Sequence, residues 1–176
     1  MLVLDLKHGA GGECKACQRI NQIKRGENPY FVAELETGYV VLGDFQFFRG
    51  YTVFICRHHK AELHELPEDF RLQFLKEMSQ VAESVFKAFE PERLNYELLG
   101  NTSPHLYWHI FPRYAKDPKP QAPVWCIDKA VCCSDDARPS KKELNQLKRD
   151  LLSQLERRAK IIEKAKDIPL PDIFNL

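Results

Sequence analysis

The sequence predicts an α+β fold: a sheet of about five antiparallel strands, one long helix, and a C-terminal helical extension. Three observations carry this expectation. Short runs rich in β-branched and aromatic residues recur between turn residues. One long stretch repeats apolar side chains at helical spacing between Pro67 and Pro91. A charged segment near the end places a leucine stripe behind a helix-starting signature.

In chain order, residues 14–24 read as one or two helical turns beginning at a cysteine pair and closed by Gly26 and Pro29. Three strands follow, YFVAELE (30–36), GYVVLG (38–43) and GYTVFIC (50–56), and their short connections favour antiparallel pairing. Phe70, Phe74, Met78, Val81, Ala82, Val85 and Phe89 then define the long helix, with Pro67 where a first-turn proline is tolerated and Pro91 ending the run. LNYELLG (94–100) and HLYWHIFPRY (105–114) supply two more strands. Residues 115–138 carry Pro118, Pro120, Pro123, Trp125 and three cysteines, which predicts an ordered but irregular excursion over the core. Ser140 and Glu143 fit a capping box, and Leu144, Leu147, Leu151, Leu155 and Ile162 form one stripe behind it.

Composition narrows the function. A chain of 176 residues can bury one compact core with an appendage. Its 26 basic and 25 acidic residues leave a net charge of +1, so neither a nucleic-acid backbone nor an acidic membrane is expected as the main partner, and any phosphate site must be local. The start is too acidic and too poor in apolar residues for a secretory signal, and no run approaches the roughly 20 apolar residues that cross a bilayer. The expectation is a cytoplasmic protein whose six cysteines stay reduced.

The informative segment is GNTSPHLYWHIFPR, residues 100–113. Alternation along a strand sends Leu106, Trp108 and Ile110 to one face and His105, Tyr107, His109 and Phe111 to the other. Residues two apart lie roughly 6.5–7 Å from each other along a strand, so His105, Tyr107 and His109 form a ridge that can hold a phosphoryl group. Two histidines and a tyrosine on one face, preceded by a Gly-Asn turn, are an unusual use of an antiparallel strand.

Asn101, His105, Trp108, His109, Pro112 and Arg113 resemble the signature of the histidine triad (HIT) family, and the resemblance extends through GYTVFICRHH, ELHELPEDF and LNYELLGN over roughly residues 14–128. It implies a HIT-like domain over 1–128, a linker and helix over 129–176, and a homodimer. The implied chemistry is that of nucleotide hydrolases and nucleotidyltransferases, acting on the α-phosphate of nucleoside phosphoramidates or dinucleoside polyphosphates. The partner would be a purine nucleotide or dinucleotide. In the family the middle histidine of the triad is the nucleophile, and here that position is Tyr107. A phenol with an ordinary pKa of about 10 is mostly protonated at neutral pH, so turnover is expected to be impaired. Three readings of Tyr107 stay open: a substitution that silences an enzyme, a natural relative that binds nucleotides without catalysis, and a tyrosine nucleophile.

The resemblance further implies that Asn101 and Ser103 donate hydrogen bonds to phosphate oxygens and that His109 stabilises the developing charge. Asp44 and Gln46, in the segment that runs along the nucleoside, become candidates for ribose contact. Cys14 and Cys17 have the two-residue gap that lets two thiolates share a tetrahedral metal. His59 and His105 match the positions that complete a Cys-Cys-His-His zinc centre in zinc-bearing HIT relatives, with His58 as the alternative if the register slips by one. Such a closed site would be structural. His8 and His64 receive no role, and the Cys132-Cys133 pair could bind metal or oxidise but is read as incidental. Two other classes of function remain: a non-catalytic nucleotide sensor or adaptor, and a zinc-stabilised interaction module.

Overall fold

The computed structural model describes residues 14–101 and 103–166; His8 lies outside them. Six strands form one antiparallel sheet: β1 (Phe31–Glu34), β2 (Gly38–Leu42), β3 (Thr52–Cys56), β4 (Arg93–Glu97), β5 (Tyr107–Arg113) and β6 (Glu163–Lys164), in the order β4-β5-β3-β2-β1-β6. The five expected strands are all present. The sixth escapes sequence reading because two exposed residues carry no periodic pattern, and only pairing of Ala33 and Glu34 with Lys164 and Glu163 makes them a strand.

Four helices cover the sheet, α1 (Lys15–Lys24), α2 (Glu68–Phe89), α3 (Lys129–Cys132) and α4 (Lys141–Leu155). The first is longer than the expected one or two turns, since Ala16, Ile20 and Ile23 bury one face of it against the sheet. Acidic Glu68 and Asp69 favour the positive end of α2, and Glu90, in the left-handed region at φ 49°, ends it just before Pro91. Ser140 and Glu143 close the capping box of α4 reciprocally: Oγ of Ser140 accepts from the Glu143 N–H at 3.3 Å, and the Glu143 carboxylate accepts from the Ser140 N–H at 2.8 Å. Leu144, Leu147, Leu151 and Leu155 are buried as the stripe predicts, but Ile162 is exposed. The helix ends at Leu155 and the chain turns to reach β1, so Ile162 never joins the helical face.

Each face of the sheet has its own core. One unites Val40, Leu42, Phe54, Leu106 and Ile110 with α2 and α4. The other places Tyr39, Val41, Tyr51, Val53, Ile55, Tyr107 and Phe111 against α1, Val124 and Cys132. The irregular excursion thus closes over the second face. Among the described residues, no helix is long and apolar enough to cross a membrane.

Candidate functional site

Strand β5 is central, hydrogen-bonded to β3 on one side and β4 on the other. Leu106 and Ile110 enter the helix-side core, while Tyr107 and Phe111 enter the opposite one, so the alternation seen in the sequence is the alternation of the folded strand. Tyr107 and His109 meet edge to face, ring centroids 5.1 Å apart, and both are buried. Aromatic rings thus pack around the face of Tyr107 and His109 as well.

His109 is fixed by a residue that the sequence reading passed over. The Tyr51 hydroxyl lies 2.6 Å from Nδ1 of His109, and the Tyr51 ring stacks on Phe111 at 4.1 Å with the planes only 5° apart. Gly43 makes room for it, because a Cβ there would stand 2.0 Å from the Tyr51 ring. Burial pushes the Tyr51 phenol well above its ordinary value and pulls His109 down to about 4. Both groups are therefore neutral at pH 7. The signal for Tyr51 was available, since it alternates with Val53 and Ile55, which face the same core, and Val53 is the direct partner of His109.

The other phosphate and ribose candidates are dispersed in role. Asn101 sits exposed in the turn before β5, and Ser103 is buried with its hydroxyl 3.5 Å from Cys14 Sγ. Asp44 makes a two-pronged ion pair with Arg19 at 2.7 and 2.8 Å, which ties α1 to the loop after β2. Gln46 braces that loop, donating to the carbonyls of Gly43 and Tyr51 and accepting from the Gly50 N–H.

At the other end of β5, Cys14, Cys17, His59 and His105 bring four donor atoms within 4.8 Å of one another. Nδ1 of His105 lies 3.7 Å from Cys14 Sγ and 3.6 Å from Cys17 Sγ, and Nδ1 of His59 lies 3.2 Å from Cys17 Sγ. A tetrahedron with metal–sulfur bonds of about 2.3 Å and metal–nitrogen bonds of about 2.0 Å has sulfur–nitrogen edges of roughly 3.5 Å. The donor set and its spacing thus fit zinc. Nε2 of His105 is 2.8 Å from the Cys56 carbonyl, which can only accept, so the hydrogen is on Nε2 and the Nδ1 lone pair faces the thiols. His58 packs its ring on Phe70 at 4.7 Å and takes no part in the cluster.

Two further neighbours of His109 were not singled out in the sequence. Trp125, in the excursion, approaches His109 at 6.2 Å and Phe111 at 6.0 Å, near perpendicular to both. Glu97, the last residue of β4, stands directly opposite His109 in the sheet. Arg113 fastens the excursion beside them, donating to Asp117 at 2.9 Å, Asn95 at 2.7 Å and the Ala122 carbonyl at 2.8 Å.

The fold, an antiparallel sheet backed by a long helix, is that of histidine triad proteins, and it places His105 just before β5 and His109 on the buried side of that strand. Solved structures share it. A histidine triad protein from Marinobacter aquaeolei superposes with a TM-score of 0.63 at 25% identity, covering 74% of this chain and 92% of that one. A hypothetical histidine triad nucleotide-binding protein from Sulfolobus tokodaii gives 0.61 at 21% identity, covering 80% and 93%. A zinc-bound histidine triad family protein from Mycobacterium smegmatis gives 0.56 at 19% identity, covering 78% and 92%. No curated protein matches the sequence. Residues 25–116, more than half of the chain, match the HIT domain, and the chain belongs to that family.

Proposed function

We propose that this protein binds a purine nucleotide or dinucleotide through its α-phosphate on the face of β5 and that Tyr107 impairs its turnover. The observation that carries this reading is the contact of Tyr107 with His109 on one face of β5, with Tyr107 standing where the family has its nucleophilic histidine. In this reading the neutral Tyr51 hydroxyl donates to Nδ1 of His109, which would put the imidazole hydrogen on Nε2, toward a phosphate oxygen. Asn101 and Ser103 would add donors at the start of the strand. Asp44 and Gln46 would reach the ribose only by giving up part of their present bonding to Arg19 and to the loop.

The same reading places a structural zinc ion on Cys14, Cys17, His59 and His105. Bound there, zinc supplies a cross-link between two thiolates and two imidazoles and leaves no open position for water. The chain is read as a homodimeric scaffold of the hydrolase and nucleotidyltransferase type, acting in the cytoplasm.

The test combines binding with turnover. Adenosine and guanosine monophosphates should raise the thermal midpoint of the protein as it stands. Release of nucleoside monophosphate from a phosphoramidate should be at or near background, and Tyr107→His should raise it by on the order of a hundredfold or more. A covalent nucleotidyl adduct on Tyr107, seen by mass spectrometry, would instead make the tyrosine a nucleophile that traps its substrate. Absence of any nucleotide response in both forms would leave the zinc-stabilised interaction module as the better account.

A further inference from the structure

Strand β4 is the sheet edge beside the ligand face. Its residues Arg93, Asn95 and Glu97 stand opposite Arg113, Phe111 and His109, and cross-strand partners point to the same side, with Cβ atoms roughly 4.5–5.5 Å apart. Asn95 is engaged by Arg113, and Arg113 is neutralised by Asp117. Glu97 differs. Burial raises the pKa of its carboxyl, against the influence of Trp125 and Arg113 nearby, and Oε2 is buried with no hydrogen-bonding partner among the described residues. A buried acceptor left unpaired is unfavourable, more so when charged, so a carboxylate at this place calls for a donor that the fold itself does not provide. Glu97 also lines a groove of about 330 Å³ formed by residues 93–97, Arg113 and residues 120–123.

The lateral order of the sheet says which donor. His109 has Val53 of β3 on one side and Glu97 of β4 on the other. The side of β3 and β2 leads to the loop of Asp44 and Gln46, where the nucleoside lies in the reading above. A substituent on phosphorus that points away from the nucleoside points toward β4. We propose that Glu97 contacts the leaving group of the phosphoryl substrate and selects an amine-bearing leaving group over a polyphosphate. The proposal rests on the nucleotide-binding reading and divides the two substrate classes that reading leaves together.

The chemistry follows from charge. A carboxylate accepts hydrogen bonds from an amine or ammonium and repels phosphate oxygens brought to the same place. The guanidinium of Arg113 already holds Asp117, and Arg93 lies at the far end of the strand, four residues from Glu97.

Equilibrium binding of the full chain tests this with three ligands: adenosine monophosphate, the aminoethyl phosphoramidate of adenosine monophosphate, and diadenosine tetraphosphate. The protein should prefer the phosphoramidate to the tetraphosphate. In Glu97→Gln the phosphoramidate should weaken on the order of tenfold, the tetraphosphate should hold or tighten, and adenosine monophosphate should change by less than about twofold. A merely structural role would move all three together. If adenosine monophosphate binds but the ratio of the other two is the same in both proteins, the assignment of Glu97 is wrong while the nucleotide reading stands. If adenosine monophosphate does not bind the parent protein, both fall.

Discussion

Burial keeps His109 neutral near pH 7, with its pKa pulled down to about 4, whereas in the unfolded chain an imidazole titrates near 6.5. Below about pH 6.5 the unfolded chain therefore takes up a proton that the folded chain refuses until about pH 4. Stability tied to this residue is complete above the unfolded value and is lost as pH falls through that window. Between pH 7 and pH 5 the loss should be about 2 kcal/mol. Denaturant unfolding of the parent and of His109→Gln at both pH values measures it, and an equal pH dependence in the two proteins would refute it. The residues on the face of β5 were legible because alternation needs only the strand to be found. Tyr51 and Glu97 were not singled out, because their role depends on which strands flank β5, and that order places β5 between elements 50 residues earlier and only ten residues earlier in the chain.

At the scale of elements, α1 shows how far local sequence reaches. The apolar positions Ala16, Ile20 and Ile23 were present, but an isolated helix of ten residues is marginal in water, and its length is set by what it packs against. Its first turn carries Cys14 and Cys17 toward His59 and His105, and Arg19 toward Asp44. Zinc on the four donors should therefore support the docking of this helix. A strong chelator is expected to lower the thermal midpoint by at least about 5 °C, reversibly on adding zinc, and Cys17→Ser to lower it without zinc rescue. Elemental analysis showing no zinc in protein grown with the metal would defeat the assignment. The long helix was readable in full and α4 from its start, because their stripes are continuous and these ends are marked, by Pro67 and Pro91 for α2 and by the capping box for α4. Where the marker was absent, at the end of α4, the stripe was carried too far, to Ile162.

For the molecule as a whole, the sheet is covered on both faces, and the tail contributes to each. Leu144, Leu147, Leu151 and Leu155 join Phe74, Val81 and Val85 in one core, while Val124 and Cys132 join Tyr107 and Phe111 in the other. Leu151→Ala, at a fully buried site on α4, should cost about 2–5 kcal/mol in denaturant unfolding. A loss under about 1 kcal/mol would mean that α4 only rests on the surface. The placement of β5 also bears on how the chain assembles during synthesis. Its neighbour β3 ends at Cys56 and β5 begins at Tyr107, so the interval must be folded away before the two can pair, and α2 supplies most of that compaction by local contacts. The strand that carries the histidines is inserted between two strands already made, and Cys14 meets His105 across 91 residues of chain. Residues 14–100 alone carry the Cys14–Cys17 pair and the β1-β2-β3 meander but neither His105 nor His109, so the ligand face depends wholly on the segment that follows.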